Sequence, residues 1–126
     1  MAIYNWPSVI ERVRMPAVGQ TVNSASFVVP DCAKSMAVFV PDLTGTTQTL
    51  TLQSLMPTET VETTEVWMAV SCFDLTDGSM EPIDGIPENA CTVIPCSATG
   101  GGNQRFVASS DQSAAPVTIC IIFNMD

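Results

Sequence analysis

The sequence predicts an all-β chain, a single-domain β-sandwich or jelly roll of about eight antiparallel strands. Length and composition indicate one globular domain, because 126 residues with 46% hydrophobic and 13% charged side chains can bury a single core. Short apolar or alternating runs recur between turns rich in Pro, Gly, Asp and Asn, which is typical of a sandwich or barrel. No segment has the apolar spacing of a long helix.

Residues 1–20 are predicted to form an extended N-terminal arm or a first strand, ahead of a sandwich domain over residues 21–126. Ser8–Met15 is open to two interpretations. A serine three residues ahead of a glutamate resembles the capping box of a short helix, which the following proline would end. The alternating valines of the same segment fit a strand, which we favour. Thr21–Val29 is predicted to be the next strand.

Met36–Leu55 is predicted to be a hairpin. Its first strand, Met36–Val40, is almost continuously apolar, as expected where both faces of a strand are covered. Pro41–Gly45 supplies the turn, since proline fixes φ and glycine tolerates positive φ. In the second strand threonines alternate with leucines, which places the threonines on one face and Leu50 and Leu52 on the other.

The second half of the chain continues the same pattern. Thr64–Phe73 is predicted to be the clearest long strand, with Trp67 and Phe73 on a face that the other sheet or a neighbour must cover. Asp74–Asn89 is predicted to be a long acidic connection, and loops of this length are often functional. The remaining strands are expected at Ala90–Pro95, Gln104–Ser109 and Pro116–Asn124.

The charge is distributed unevenly along the chain. The net charge is −9, yet residues 1–34 hold three cations against two acids, and residues 35–126 hold one cation against eleven acids. An acidic body argues against direct binding to nucleic acid or to an anionic membrane, since both interactions depend on Lys and Arg. The faintly basic N-terminal part could face an acidic protein surface, with chance clustering of four cations as the alternative.

Five cysteines, at positions 32, 72, 91, 96 and 120, occur without an export signal or an apolar run long enough to span a bilayer. We therefore expect a cytosolic product with reduced thiols, and Cys72 and Cys120 lie in core-like apolar contexts. A disulfide between Cys91 and Cys96 or a metal site is the alternative. The CxxxxC spacing is not a recognised metal motif, and the chain has no histidine.

The residue types argue against an enzyme and against a bound cofactor. Without histidine, Ser-His-Asp and Cys-His chemistry cannot operate, and no glycine-rich loop is suited to hold a phosphate. The acidic connection offers a candidate calcium site, because Asp74, Asp77, Glu81 and Asp84 supply oxygen ligands around a flexible backbone. A plain solvated loop is the alternative interpretation.

Two features suggest that the chain binds other proteins. Tyr4 and Trp6 lie at the N-terminus, where exposed aromatic side chains suit anchoring to a partner; packing on the chain's own core is the alternative. The edge strands of a small sandwich also invite pairing with further chains. We expect a homo-oligomer, with a homotrimer as the preferred state.

The strand–turn–strand segment at residues 27–55, FVVPDCAKSMAVFVPDLTGTTQTLTLQSL, is similar to a strand pattern of small virion β-sandwiches. The terminal VTICIIFN strand fits the same plan. In these segments the chain resembles the head decoration (cement) proteins of tailed bacteriophages. It departs from some of them in its five cysteines and in having no obvious glycine-rich insertion arm.

The resemblance implies a structural protein of the virion, made in the host cytoplasm and placed on the capsid exterior. A homotrimer would bind the major capsid protein, bridge neighbouring subunits and stabilise the mature lattice. The residues that would anchor it are Tyr4, Trp6, Arg12 and Arg14. Other interpretations are a head–tail connector, a tail or fibre module, or a calcium- or carbohydrate-binding β-sandwich.

Overall fold

The computed structural model describes residues 8–56, 65–73, 78–96 and 102–125, and these residues form a β-sandwich. The all-β prediction is confirmed, because the described residues form strands and turns and no α-helix. Within these ranges no helix is long and apolar enough to cross a membrane. The strands, in chain order, are β1 (Ser8–Met15), β2 (Phe27–Val29), β3 (Ser35–Val40), β4 (Thr49–Leu55), β5 (Trp67–Ala69), β6 (Ser71–Phe73), β7 (Met80–Pro82), β8 (Ile86–Pro87), β9 (Ala90–Pro95), β10 (Gly102–Ala108) and β11 (Val117–Asn124).

Two antiparallel sheets form the sandwich. The first sheet has four strands in the order β1-β11-β3-β9. The second sheet has five strands, in the order β2-β10-β4-β5 with β8 paired to β4. A separate two-stranded ribbon is formed by β6 and β7. Because β1 pairs with β11 from Ser8 to Met15, the strand interpretation of that segment is confirmed.

The core lies between the two sheets and is built from alternate residues of their strands. Ile119, Ile121 and Phe123 of β11 have no exposed surface, and neither has Phe106 of β10. The Phe106 ring stacks on the Phe27 ring with centroids 5.2 Å apart, and the Phe27 centroid lies 6.3 Å from that of Phe123. These three rings come from both sheets, so their contacts join the two layers.

The predicted hairpin at Met36–Leu55 is wrong, because its two strands lie in different sheets. β3 lies between β11 and β9 in the first sheet, and β4 lies between β10 and β5 in the second. The connection carries Leu43, which is buried in the core, so the chain crosses from one layer to the other. The predicted alternation is confirmed, since Leu50 and Leu52 are fully buried and Thr49 is exposed.

β3 has one covered face, so the prediction that both faces are covered is wrong. Met36, Val38 and Val40 point into the core. Phe39 lies on the opposite side of the strand and is 41% exposed. The apolar run of β3 therefore contributes to two surfaces, the buried core and the exposed outward side of the first sheet.

The predicted long strand Thr64–Phe73 is interrupted at Val70. β5 pairs with β4, whereas β6 pairs with β7. The Val70 amide donates to the carbonyl of Leu52 over 3.0 Å, and its carbonyl accepts from the amide of Ile83 over 2.8 Å. These two bonds hold the corner at which the chain leaves the second sheet.

Two further boundaries differ from the predictions. Thr21–Val29 forms a strand only from Phe27, because the Ser24 hydroxyl accepts the Phe106 amide over 2.9 Å and replaces regular ladder pairing. Asp74–Asn89 is in part ordered as strand, since it contains β7 and β8. The buried Ile86 fixes β8 to the core.

A cluster of buried amides ties the turn before β4 to the segment after β10. The Gln112 side chain accepts a hydrogen bond from the Thr44 amide over 2.7 Å and donates one to the Thr44 carbonyl over 2.8 Å. The Gln48 side chain accepts a hydrogen bond from the Ser109 hydroxyl over 2.8 Å and donates one to the Thr46 carbonyl over 3.0 Å. Because both carboxamides are buried and bonded through oxygen and nitrogen, the cluster specifies the path of the turn.

Replacing Gly45 by alanine should lower the free energy of unfolding by about 2–3 kcal/mol. Gly45 has φ of 117°, and an added Cβ would lie 2.7 Å from both the Gln48 Nε2 and the Ser110 Oγ. Gly19→Ala is the matched control, because Gly19 has φ of 80° with nothing within 4 Å of its Cβ. We expect about 1 kcal/mol there, from backbone strain alone. Urea unfolding measures both losses, and equal values would contradict the proposed clash.

Candidate partner-binding face

Alternate residues of the first sheet point away from the core, because successive side chains of a strand lie on opposite faces. Directly opposite residues of antiparallel neighbours share a face, so the register assembles these side chains into rows. We call this surface the outer face. Its residues are Ile10, Arg12 and Arg14 of β1; Thr118, Cys120, Ile122 and Asn124 of β11; Ser35, Ala37 and Phe39 of β3; and Cys91, Val93 and Pro95 of β9.

One row of the outer face is apolar across all four strands. Ile10 lies opposite Ile122, Ile122 opposite Ala37, and Ala37 opposite Val93. The ends of the row are its most exposed members, with Ile10 at 51% and Val93 at 64%. Contiguous exposed apolar surface of this kind typically marks a binding site, whereas single exposed apolar residues are ordinary.

The neighbouring row consists, in order across the four strands, of Arg12, Cys120, Phe39 and Cys91. A depression of about 380 Å³ opens beside Phe39, and Pro41 and Thr118 contribute to its lining. The outer face is therefore apolar in two adjacent rows, and it is concave where they approach the end of the sheet.

Arginine supplies the charge of the outer face. Arg12 and Arg14 are exposed on β1, the edge strand, and no acidic residue occupies an outward position of the four described strands. The Arg14 Nε donates to the Pro16 carbonyl over 3.1 Å. Since the chain as a whole carries a net charge of −9, this face differs in sign from the rest of the protein.

On the outward side of the second sheet, the aromatic residue Trp67 is instead covered in part by polar groups of the same sheet. The Arg105 guanidinium lies 4.3 Å from the centroid of the Trp67 ring, and its Nε donates to the Gln53 side chain over 2.9 Å. The Trp67 Nε1 donates to the Glu65 carboxylate over 3.2 Å. Burial lowers the pKa of Arg105, and the Glu65 carboxylate opposes that shift. Trp67 is thus half-covered by an arginine of its own sheet, on the side that faces away from the other sheet.

The predicted site residues are distributed as follows. Arg12 and Arg14 lie on the outer face, while Tyr4 and Trp6 fall outside the described residues. Of the candidate calcium ligands, Glu81 is an exposed residue of β7 that accepts a hydrogen bond from the Ser79 hydroxyl over 3.3 Å, and Asp84 is exposed beyond that strand. Asp74 and Asp77 lie outside the described ranges, and the residues inside them contain no cluster of three potential metal ligands.

The cysteines occupy different environments. Cys32 and Cys91 are exposed thiols, and Cys96 is buried at the end of β9. Cys120 is half-buried on the outer face, so its predicted core position is wrong: the neighbouring Ile119 and Ile121 take the inward positions of β11. The backbone of Cys72 lies in β6.

Alkylation should label Cys32 and Cys91 at least about tenfold faster than Cys96 at mildly alkaline pH. Burial raises the pKa of the Cys96 thiol, which lowers its thiolate fraction, and also hinders access of the reagent. Peptide mapping by mass spectrometry after timed exposure to iodoacetamide measures the three rates. Equal rates at the three positions would contradict the described packing around Cys96.

The apolar row was not predicted as a site from the sequence. Each of its members stands in a different strand, and in each strand it reads as part of a core-forming run. The available signal was the even alternation within β11, which marks Ile122 as lying on the opposite side from Ile121. Only the pairing of four strands reveals that the outward members meet.

Comparisons with known proteins address the fold. No family model matches the sequence, and no curated protein matches it. Among solved structures the chain is similar to the SPBc2 prophage-derived protein YomS, with a TM-score of 0.51 and 14% sequence identity, over 97% of this chain and 98% of that one. The two proteins share a fold along almost their whole lengths.

Proposed function

We propose that this chain is a structural protein of a bacteriophage particle, a decoration protein that binds the outside of the mature capsid. One observation carries the proposal: an apolar, acid-free face with two arginines on an otherwise acidic sandwich. Such a face suits attachment to a protein surface. The fold shared with a prophage-derived protein supports a phage setting.

The proposed mechanism is physical. A protein that binds the mature lattice of the major capsid protein more tightly than other states of the shell stabilises that lattice by mass action. A homotrimer bridging neighbouring subunits would multiply the effect, because contacts made by linked copies act together. The acidic remainder of each chain would then face solvent and keep the decorated particles apart by like-charge repulsion.

The test is the location of the chain in purified phage particles. An affinity-tagged copy is expressed in the host that carries the gene, particles are purified, and gold-labelled antibody against the tag is viewed by electron microscopy. We expect label over the heads, in many copies per particle. Label confined to the tail or to the head–tail junction would instead assign the chain to the tail or connector, and unlabelled particles would refute the proposal.

A further inference from the structure

We infer that the outer face docks onto a different protein, whose surface presents apolar side chains flanked by carboxylates, and not onto a second copy of this chain. This inference rests on the proposed function and names the surface that makes the contact. Its basis is the composition of the outer face, which is apolar at its centre and cationic at the β1 edge.

The small area of the outer face limits how tightly a single copy can bind. Four strands about 4.8 Å apart, each rising about 3.3 Å per residue, give a footprint on the order of 400 Å². A standard stable interface buries about 800 Å² on each partner. One copy alone would therefore bind weakly, and high occupancy requires several linked contacts, as a repeating lattice provides.

Charge complementarity defines the partner. Arg12 and Arg14 are two residues apart on one strand, so their side chains project from the same face about 7 Å apart. Among the described residues Arg12 makes no hydrogen bond or ion pair, and Arg14 bonds only a backbone carbonyl. A partner that places carboxylates opposite this edge would form charge-assisted hydrogen bonds with both guanidinium groups.

A second copy does not meet this requirement. The outward positions of the described strands contain no acid, and the exposed Glu11 of β1 alternates to the other side of its strand. Two outer faces packed together would therefore bring no carboxylate from these positions to either pair of arginines. A different protein with an acidic rim supplies those carboxylates.

The chain offers a closely matched pair of positions for the test. Val93 is 64% exposed on β9, an edge strand of the first sheet, and Val28 is 58% exposed on β2, an edge strand of the second sheet. Val93→Glu places a carboxylate in the apolar row, and Val28→Glu makes the same change on the opposite side of the sandwich. Ile10→Glu, at the other end of the row, provides a second variant in case Val93→Glu does not fold.

The experiment adds purified chain to particles from a phage that lacks the gene and measures bound chain against concentration. We expect Val93→Glu and Ile10→Glu to weaken binding at least tenfold and Val28→Glu to bind within twofold of wild type. Circular dichroism verifies that each variant is folded, and light scattering gives its solution mass.

Each other outcome has a distinct meaning. If the wild-type chain binds and the outer-face variants bind equally well, the inference fails while the proposed function stands. If Val28→Glu is as weak as Val93→Glu, binding is not specific to the outer face and the inference also fails. If the wild type associates in solution and Val93→Glu is monomeric, the occupant is a second copy. If the wild type neither binds these particles nor occurs in native ones, the proposed function fails as well.

Discussion

Replacing Phe106 by alanine should reduce the free energy of unfolding by about 3–5 kcal/mol, a large part of the stability of a domain of this size. Phe106 has no exposed surface, and its ring stacks on Phe27 at 5.2 Å. Phe27 in turn contacts Phe123 of the first sheet. The substitution would therefore leave a cavity between the two layers, which surrounding residues on paired strands cannot close.

Urea unfolding monitored by circular dichroism measures this loss. Val107→Ala is the matched control, because Val107 is the next residue of β10 and lies half-buried on the outward side. We expect the control to cost about 1 kcal/mol or less. Similar losses for both variants would mean that Phe106 does not lie in the core that joins the sheets.

Reversing the charge of Arg12 should weaken binding to phage particles at least tenfold. In the proposed complex the guanidinium pairs with a partner carboxylate, and hydrogen bonds to charged groups contribute about 1.5–3 kcal/mol each. Arg12→Glu removes that bond and adds a repulsive contact. The same binding measurement at rising salt should show a smaller difference between wild type and variant, since screening weakens both the attraction and the repulsion.

Lys34→Glu controls for the overall change in charge. Lys34 is exposed in the turn before β3, and its reversal changes the net charge by the same amount as Arg12→Glu. We expect Lys34→Glu to bind within twofold of wild type, because Lys34 does not lie on the outer face. An equal effect of both variants would indicate a response to net charge, and would contradict a specific contact at β1.

The fold class and several strands could be predicted because alternation is a local property. The leucines and threonines of β4 occupy opposite faces as expected, and β11 and β9 lie close to their predicted bounds. Pairing is not local. A period of two does not say which strand a segment pairs with, so the sequence predicts that β3 and β4 pair with each other although they belong to different sheets.

The candidate binding face also depends on which strands pair, and the alternation of residues within a strand does not specify this. Arg12 and Arg14 could be selected from the sequence because cations are rare in this chain. The apolar row could not, since Ile10, Ala37, Val93 and Ile122 are brought together only by register. Phe39 shows the reason: an aromatic residue within an apolar run predicts burial, and only the absence of a third layer over β3 among the described residues leaves it exposed.

The most direct test of the proposed binding mode is a cryo-electron microscopy reconstruction of the phage head with the chain bound. We expect a sandwich on the capsid exterior, with the β1-β11-β3-β9 sheet against the shell and carboxylates of the major capsid protein beside Arg12 and Arg14. A head without this density, or a bound sandwich whose outer face is turned to solvent, would contradict it.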